Sequence, residues 1–143
     1  MKVDQISIFL ENKSGRLAEV TDILAKNGVN IRAMSLADSA DFGIFRVIVN
    51  NPEKTLAVLK ENGFTAARND VVAVVLPDQA GGLASILALL QSRKINVEYM
   101  YAFVQKSEGN AVLIFRFDDI EQAIDTLSKA GVMIMSNAEV QQL

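Results

Sequence analysis

The chain has 143 residues, of which 50% are hydrophobic and 22% are charged, and this composition excludes a disordered protein. Its formal net charge of −3 argues against a nucleic-acid partner, because binding to phosphates depends on cationic side chains that release counterions. The chain has no cysteine and no histidine, so disulfides and thiolate metal sites are excluded, and most enzyme mechanisms lose their usual residues.

The first half of the chain predicts a β-α-β-β-α-β order. QISIFL alternates apolar and polar residues as a half-buried strand does, and Leu17, Val20 and Leu24 recur at helical spacing. The segments that follow predict a two-stranded hairpin, a helix that begins with an Asn cap and a Pro, and a short closing strand. These segments are NIRAMSL, IFRVIV, NPEKTLAVLKENG and FTAARN.

The second half of the chain repeats the first. When Gly15 is placed over Gly81, Leu17 also falls on Leu83, and the surrounding strand and helix patterns coincide. The second copy needs two extra residues, most simply in the turn near QKSEGN. In this copy the strands and helices are predicted in VVAVVL, LASILALLQS, INVEYMYAFV, NAVLIFRF, IEQAIDTLSKA and VMIMSN.

The repeated order predicts an α+β protein made of two ferredoxin-like βαββαβ domains, residues 1–69 and 70–143. Right-handed crossovers place both helices of each domain on one face of an antiparallel sheet. VVAVVL nevertheless leaves no polar residue for the other face, so we expect the other copy or another subunit to cover that face. We therefore expect extensive contact between the domains and a homodimer.

Both copies place a small glycine loop between a strand and a helix, in ENKSGRLAEV and in PDQAGGLASI. Unpaired N–H groups at a helix start bind a carboxylate or a phosphate, and glycine lets the ligand approach the backbone. Asn12 or Asp78 at the strand end has an acceptor oxygen for an ammonium group. A carboxylate beside an ammonium indicates a free amino acid. A tight turn that binds nothing explains the same glycines, so both interpretations stay open.

The sequence gives little support for nucleotide binding or for catalysis. Neither loop carries a nucleotide-binding glycine motif, and Ser14 has no base nearby. Asp38 and Asp41 are either a carboxylate pair or the polar tip of a hairpin, and turn chemistry favours the tip. We therefore expect no catalytic residue, no metal and no cofactor, and we expect that the protein is not an enzyme.

Tyr99 and Tyr101 lie in the strand EYMYAF and share one of its faces with Phe103. Packing in a core or an interface is the simpler explanation, since aromatic residues are common in strands. A phenol group can also form a hydrogen bond to a ligand while its ring packs. Both tyrosines therefore remain secondary ligand-binding candidates.

The stretch ENKSGRLAEVTDILAKNGVNI resembles the opening of an ACT domain, in which a strand ends in Asn and a turn leads through Leu into a helix. The resemblance covers both copies, so the chain looks like a stand-alone pair of ACT domains and is similar to regulatory subunits of acetolactate synthase. It implies a sensor that binds a free amino acid between ACT domains and signals to a metabolic enzyme. A ligand-free regulatory or structural subunit of such a biosynthetic enzyme is the alternative.

The resemblance also implies ligand contacts by position. They are Asn12, Lys13, Ser14, Gly15, Arg16, Leu17, Asn30 and Ile31 in the first copy, with Asp78, Gln79, Ala80, Gly81, Gly82, Leu83 and Asn96 in the second. Ser14 and Ala80 stand where proline is common in the family. Asp78 in place of Asn suggests that the two copies bind differently or that only one binds.

No targeting signal is recognisable in MKVDQISIFL, and the longest apolar runs are far shorter than the roughly 18 residues of a membrane span. We therefore expect a soluble, cytoplasmic protein without a membrane partner.

Overall fold

The computed structural model describes residues 1–39, 41–103 and 109–143. Its elements follow the predicted β-α-β-β-α-β repeats, and the predicted α+β fold is confirmed. None of the helices in the described residues is long and apolar enough to cross a membrane. In chain order the elements are β1 (Val3–Glu11), α1 (Arg16–Lys26), β2 (Ile31–Asp38), β3 (Phe42–Val49), α2 (Pro52–Glu61), β4 (Thr65–Pro77), α3 (Gly82–Ser92), β5 (Val97–Ala102), β6 (Asn110–Phe117), α4 (Ile120–Lys129), β7 (Met133–Met135) and α5 (Asn137–Gln141).

The chain divides into two compact units. The first unit is Asp4–Asn69, and the second unit consists of Met1–Val3 and Asp70–Leu143. Strand β4 contributes residues 65–69 to the first unit and residues 70–77 to the second. The sequence predicts two strands here, FTAARN and VVAVVL, but β4 is continuous. No glycine or proline interrupts these residues, so nothing in the chain ends the first strand.

The first unit is a four-stranded sheet with the order β2-β3-β1-β4. Strand β3 pairs antiparallel with both β1 and β2, so that Phe45 lies opposite Ile8 on one side. The apolar stripe of α1, with Val20 and Leu24, packs against the sheet together with Leu59 of α2. Burial of each such side chain stabilises the fold by about 1.5–3 kcal/mol.

The second unit has the strand order β7-β4-β6-β5. Its core contains Leu90 of α3 and Leu127 of α4, which pack with Phe115 and Phe117 of β6. The rings of these two phenylalanines stack with centroids 5.4 Å apart. The apolar run of β4 is buried on both of its faces, as its lack of polar residues predicts. The fully buried residues of this run are Val71, Val72, Ala73 and Val74.

The end of the chain corrects one predicted element. The strand predicted in VMIMSN is only β7, and Ser136 caps the short helix α5, which the sequence pattern does not predict. The Ser136 hydroxyl accepts a hydrogen bond from the Glu139 N–H at 3.2 Å, and the Glu139 carboxylate accepts one from the Ser136 N–H at 2.7 Å. This reciprocal cap competes with strand formation. The turn predicted near QKSEGN falls largely outside the described residues.

Candidate ligand-binding site

The corner between β1 and α1 is built on a glycine. Gly15 precedes the helix with φ of 89°, and no side chain caps the helix start. This left-handed backbone is strained for residues with a Cβ, so the turn itself requires glycine. A Cβ placed on Gly15 would meet no atom within 4 Å, so the space beside the helix start is open.

The first amides of α1 differ in whether they are bonded. The Arg16 N–H donates to the Lys13 carbonyl over a long 3.4 Å. The N–H groups of Leu17 and Ala18 have no acceptor in the part of the chain that the structure describes. These groups lie at the positive end of the helix dipole. Two open donors are therefore present where an anion binds a helix.

Two cations flank this corner. Lys13 Nζ lies 3.1 Å from the Glu11 carboxylate, and Arg16 Nη2 lies 3.4 Å from it. A second Arg16 nitrogen lies 3.1 Å from the Glu19 carboxylate. The hydrogen bond from Lys13, followed by the charges of Lys13 and Arg16, holds the pKa of Glu11 below its usual range. All these groups are at least partly exposed, so solvent screens the attractions between them.

A cleft of about 270 Å³ lies beside the corner, and we name it the helix-start cleft. It is lined by Leu10, Glu11, Asn12, Lys13, Arg16, Leu17, Leu36, Asp38 and Gly43. Four predicted ligand contacts are among these residues, whereas Ser14 and Gly15 form the turn without lining the cleft. The volume lies just below the roughly 300–1,000 Å³ of pockets for drug-sized ligands. The cleft therefore suits a small molecule.

Asn12 forms hydrogen bonds that connect this corner to residues between β2 and β3. Its backbone N–H donates to the Asp41 carbonyl at 2.9 Å, and its side-chain amide donates to the Ser39 carbonyl at 3.4 Å. The bond to Asp41 agrees with the hairpin-tip interpretation of that residue. The loop thus helps to hold the lining of the cleft in place.

The corner between β4 and α3 repeats the backbone of the first corner but not its charges. Gly81 has φ of 88°, and the N–H groups of Leu83 and Ala84 have no acceptor among the described residues. Asp78, Gln79 and Ala80 complete the turn, and the loop has no Lys or Arg. The Asp78 carboxylate disfavours an anion here, because like charges repel each other.

Gly82 has a structural reason to be glycine. A Cβ at this position would overlap the Pro77 carbonyl oxygen and would lie 3.2 Å from Leu76 Cδ1. The close approach of α3 to the end of β4 therefore requires the absence of a side chain. A ligand contact at Gly82 stays a prediction.

A family model for an ACT domain pair matches residues 1–143. The chain belongs to the ACT family. This ACT pair is similar to the solved protein BT0572 from Bacteroides thetaiotaomicron, with 38% identity, a TM-score of 0.93, and coverage of 100% of this chain and 98% of that one. No curated protein matches the chain.

Two more distant structures share the fold of the ACT pair. The ligand-free regulatory subunit of aspartate kinase from Thermus thermophilus is 19% identical, with a TM-score of 0.62 and coverage of 89% and 91% of the two chains. The regulatory subunit of aspartate kinase from Thermus flavus is 18% identical, with a TM-score of 0.60 and coverage of 87% and 88%. Identities this low show the fold alone.

Within the first unit of the ACT pair, two predicted contacts lie away from the helix-start cleft. Asn30 and Ile31 are at the start of β2, whereas the cleft is lined by the end of this strand, roughly 23 Å along it. The Asn30 N–H donates to the Asn50 side chain at 3.0 Å, and its carbonyl accepts from the Asn50 N–H at 3.2 Å. Ile31 packs on the core. The structure does not bring these two residues to the corner, and their ligand role stays a prediction.

Asn96 takes the matching position in the second unit. Its N–H donates to the Asp118 carboxylate at 3.1 Å, and its carbonyl accepts from the Asp118 N–H at 3.2 Å. It lines a different cleft, of about 350 Å³, together with Leu87 and Lys94. In both units this asparagine joins the start of one strand to the end of the next.

The two tyrosines lie together on β5. Their rings are nearly parallel, with centroids 6.5 Å apart, and Tyr101 is buried while Tyr99 is half-buried. This arrangement agrees with the packing interpretation. Their role as ligand contacts stays a prediction.

Some residues of the helix-start cleft are absent from the predicted set. Leu36, Asp38 and Gly43 come from β2 and β3, where Gly43 lies opposite both Leu10 and Asp38. From the sequence, Asp38 is expected only in a carboxylate pair or at a hairpin tip. These residues could be predicted only from the pairing register of the strands. The sequence does not reveal this register, because the loop of the hairpin is long.

Proposed function

We propose that this ACT pair binds a free amino acid at the corner between β1 and α1. The carboxylate accepts hydrogen bonds from the Leu17 and Ala18 amides, and Lys13 and Arg16 add positive charge. Asn12 and Asp38 provide oxygen atoms for the ammonium group. The observation that most supports this proposal is the helix-start cleft, because Leu17 at the open helix start, the cations of Lys13 and Arg16, and the Asp38 carboxylate line one small volume.

We propose that the bound amino acid regulates an enzyme and that the ACT pair has no catalytic activity of its own. A ligand regulates a partner only if it binds one arrangement of the protein more tightly than another. The proposal includes a homodimer in the cytoplasm, a metabolic enzyme as partner, and ACT domains at residues 1–69 and 70–143. The amino acid bound at this corner then changes what the partner enzyme contacts.

The second corner favours a second candidate function. Asp78 and the lack of Lys and Arg in the loop itself make this corner a weak site for a carboxylate. If the first corner is also empty in the cell, the chain is a ligand-free regulatory or structural subunit of an amino-acid biosynthetic enzyme such as acetolactate synthase. The two candidates differ in whether any free amino acid binds.

A thermal-shift experiment on the full chain separates these candidates. Each of the common amino acids is added in turn, and one at about 100 times its dissociation constant stabilises the fold by about 2.7 kcal/mol. A rise in melting temperature with one amino acid or a small group supports the sensor. If no amino acid raises the melting temperature, the ligand-free subunit is favoured and the sensor is rejected.

A further inference from the structure

A second cleft of about 270 Å³ lies in the first unit, and we name it the phenylalanine cleft. It shares Leu10, Glu11 and Arg16 with the helix-start cleft but otherwise has a different lining. The residues that matter for its chemistry are Phe9, Glu11, Arg16, Phe42, Gly63 and Phe64.

Three phenylalanines form the aromatic part of this cleft. Phe9 is 45% exposed and Phe42 is 61% exposed, whereas Phe64 packs against the core. Phe42 lies opposite Glu11 in the sheet, so its ring and that of Phe9 are diagonal neighbours on one sheet face. Exposed aromatic rings beside a concave surface are typical of a ligand site.

The residues that follow α2 also line this cleft. The Phe64 N–H donates to the Leu59 carbonyl at 2.9 Å, and this bond anchors the chain just after the helix. Gly63 has φ of 79°, and a Cβ placed on it would meet no atom within 4 Å. The backbone of Gly63 therefore leaves the cleft open to a ligand.

Arg16 supplies the charge. Two of its five guanidinium N–H donors are used in bonds to Glu11 and Glu19, and the other three have no acceptor in the described residues. The two carboxylates hold the guanidinium in place, and its remaining donors match the two oxygens of a carboxylate. The Glu11 charge is also offset by Lys13, which lies 3.1 Å away. The electrostatic repulsion between Glu11 and a bound anion is therefore weaker than it would be without Lys13.

We propose that the phenylalanine cleft binds an aromatic carboxylate. The ring packs against Phe9 and Phe42, where offset and edge-on contacts are favourable, and the carboxylate binds Arg16. The volume limits the ligand to about one ring with a short acid chain. This site differs from the proposed amino-acid site, because the Leu17 and Ala18 amides take no part in it.

The test uses the full chain labelled with ¹⁵N and titrated with phenylacetate. We expect saturable shifts of the Gly63 and Thr65 amide signals that exceed those of Leu17 and Ala18. Benzylamine has the same ring without a carboxylate, and we expect it to bind at least about tenfold more weakly. Phenylalanine is a third probe, and tighter binding than phenylacetate at Gly63 identifies an aromatic amino acid as the source of the ligand. Weaker binding identifies an aromatic acid without the amino group.

Variants complete the test. Phe42→Ala and Phe9→Ala each weaken phenylacetate binding by about fivefold, because each removes one ring contact. Met133→Ala is the matched control, since Met133 is 65% exposed and lies in the second unit, and it leaves the affinity unchanged. The proposal is overturned if phenylacetate does not saturate, if benzylamine binds equally well, or if both phenylalanine variants retain full affinity. A chain that binds no amino acid at Leu17 and Ala18 can still pass this test, so the two proposals fail separately.

Discussion

Gly82 at the start of α3 lies so close to Pro77 at the end of β4 that a methyl group on its Cα would overlap the Pro77 carbonyl oxygen. Arg16 has the aligned position at the start of α1 and carries a full side chain. The two corners therefore share a left-handed glycine, but they differ in the role of the residue that follows this glycine. At the first corner that residue supplies a cation, and at the second it allows close packing.

Replacing Gly82 with alanine is expected to lower the free energy of unfolding by about 1–3 kcal/mol. The added methyl group meets a backbone oxygen, which cannot move aside as the end of a flexible side chain does. Urea denaturation measures the change. Gly43→Ala is the control, because its methyl group lies 3.5 Å from Leu36 Cδ1 in ordinary contact. Equal stability of the Gly82→Ala variant and the wild type would contradict the steric explanation.

Lys94 follows α3 with φ of 57°, whereas Gly28 follows α1 with φ of 69°. The left-handed backbone costs an ordinary residue about 1–2 kcal/mol, and glycine loses about 0.5–1 kcal/mol in entropy on folding. Lys94→Gly is therefore expected to raise the free energy of unfolding by about 0.5–1 kcal/mol. The reverse change, Gly28→Lys, is the matched control and should lower it by a similar amount. If Lys94→Gly destabilises the protein, strain at Lys94 is not the controlling factor.

Much of the fold follows from local signals in the sequence. Proline at the first position of α2 marks a helix start, because it lacks only an N–H group that would be unpaired there. The glycines that follow α1 and α2 mark helix ends, because glycine adopts the left-handed backbone that ends a helix. The continuity of β4 does not follow, because the polar residues Arg68, Asn69 and Asp70 resemble a turn between two strands, although the strand runs through them. Helix α5 is missed because the apolar residues of VMIMSN favour a strand, and the Ser136 cap overrides them.

The candidate site is predictable only in part. Asn12 follows from the loop itself, whereas Lys13, Arg16 and Leu17 are implied by the resemblance to the opening of an ACT domain; all four line the helix-start cleft. Leu36 and Gly43 depend on the register of β2 and β3, which long-range pairing sets. The ligand contacts predicted in both copies stay predictions.

The carboxyl group of Glu11 offers a test by titration. Its ordinary pKa is 4.5, and Lys13 holds the folded pKa below that value. A lowered folded pKa contributes stability above the unfolded pKa, and this contribution is lost as the pH falls through the folded pKa. Lys13→Met should raise the pKa of Glu11 toward 4.5, as measured by NMR titration of the carboxyl carbon.

Glu121 provides the control for this titration. Its pKa is lowered by a hydrogen bond from Lys2 Nζ, which lies 2.6 Å from the carboxylate, and by the charge of Lys2. Lys2→Met should raise the pKa of Glu121 and leave that of Glu11 unchanged, and Lys13→Met should do the opposite. An unchanged pKa of Glu11 in the Lys13→Met variant would show that the pairing with Lys13 does not persist in solution.

A substitution at Gly15 distinguishes the effect of backbone strain on stability from its effect on ligand binding. Gly15→Val is expected to weaken amino-acid binding by at least about tenfold, because valine resists the φ of 89° and therefore displaces the Leu17 and Ala18 amides at the start of α1. Isothermal titration calorimetry measures the loss, using the amino acid found by thermal shift. Gly131→Val is the matched control, since Gly131 has φ of 77° and equal space around it. Both variants lose stability through the same strain, but only Gly15→Val should lose affinity.

Gly81→Val then tells which corner binds, because full affinity in that variant assigns the ligand to the first corner alone. Full affinity in the Gly15→Val variant would contradict a site at the start of α1.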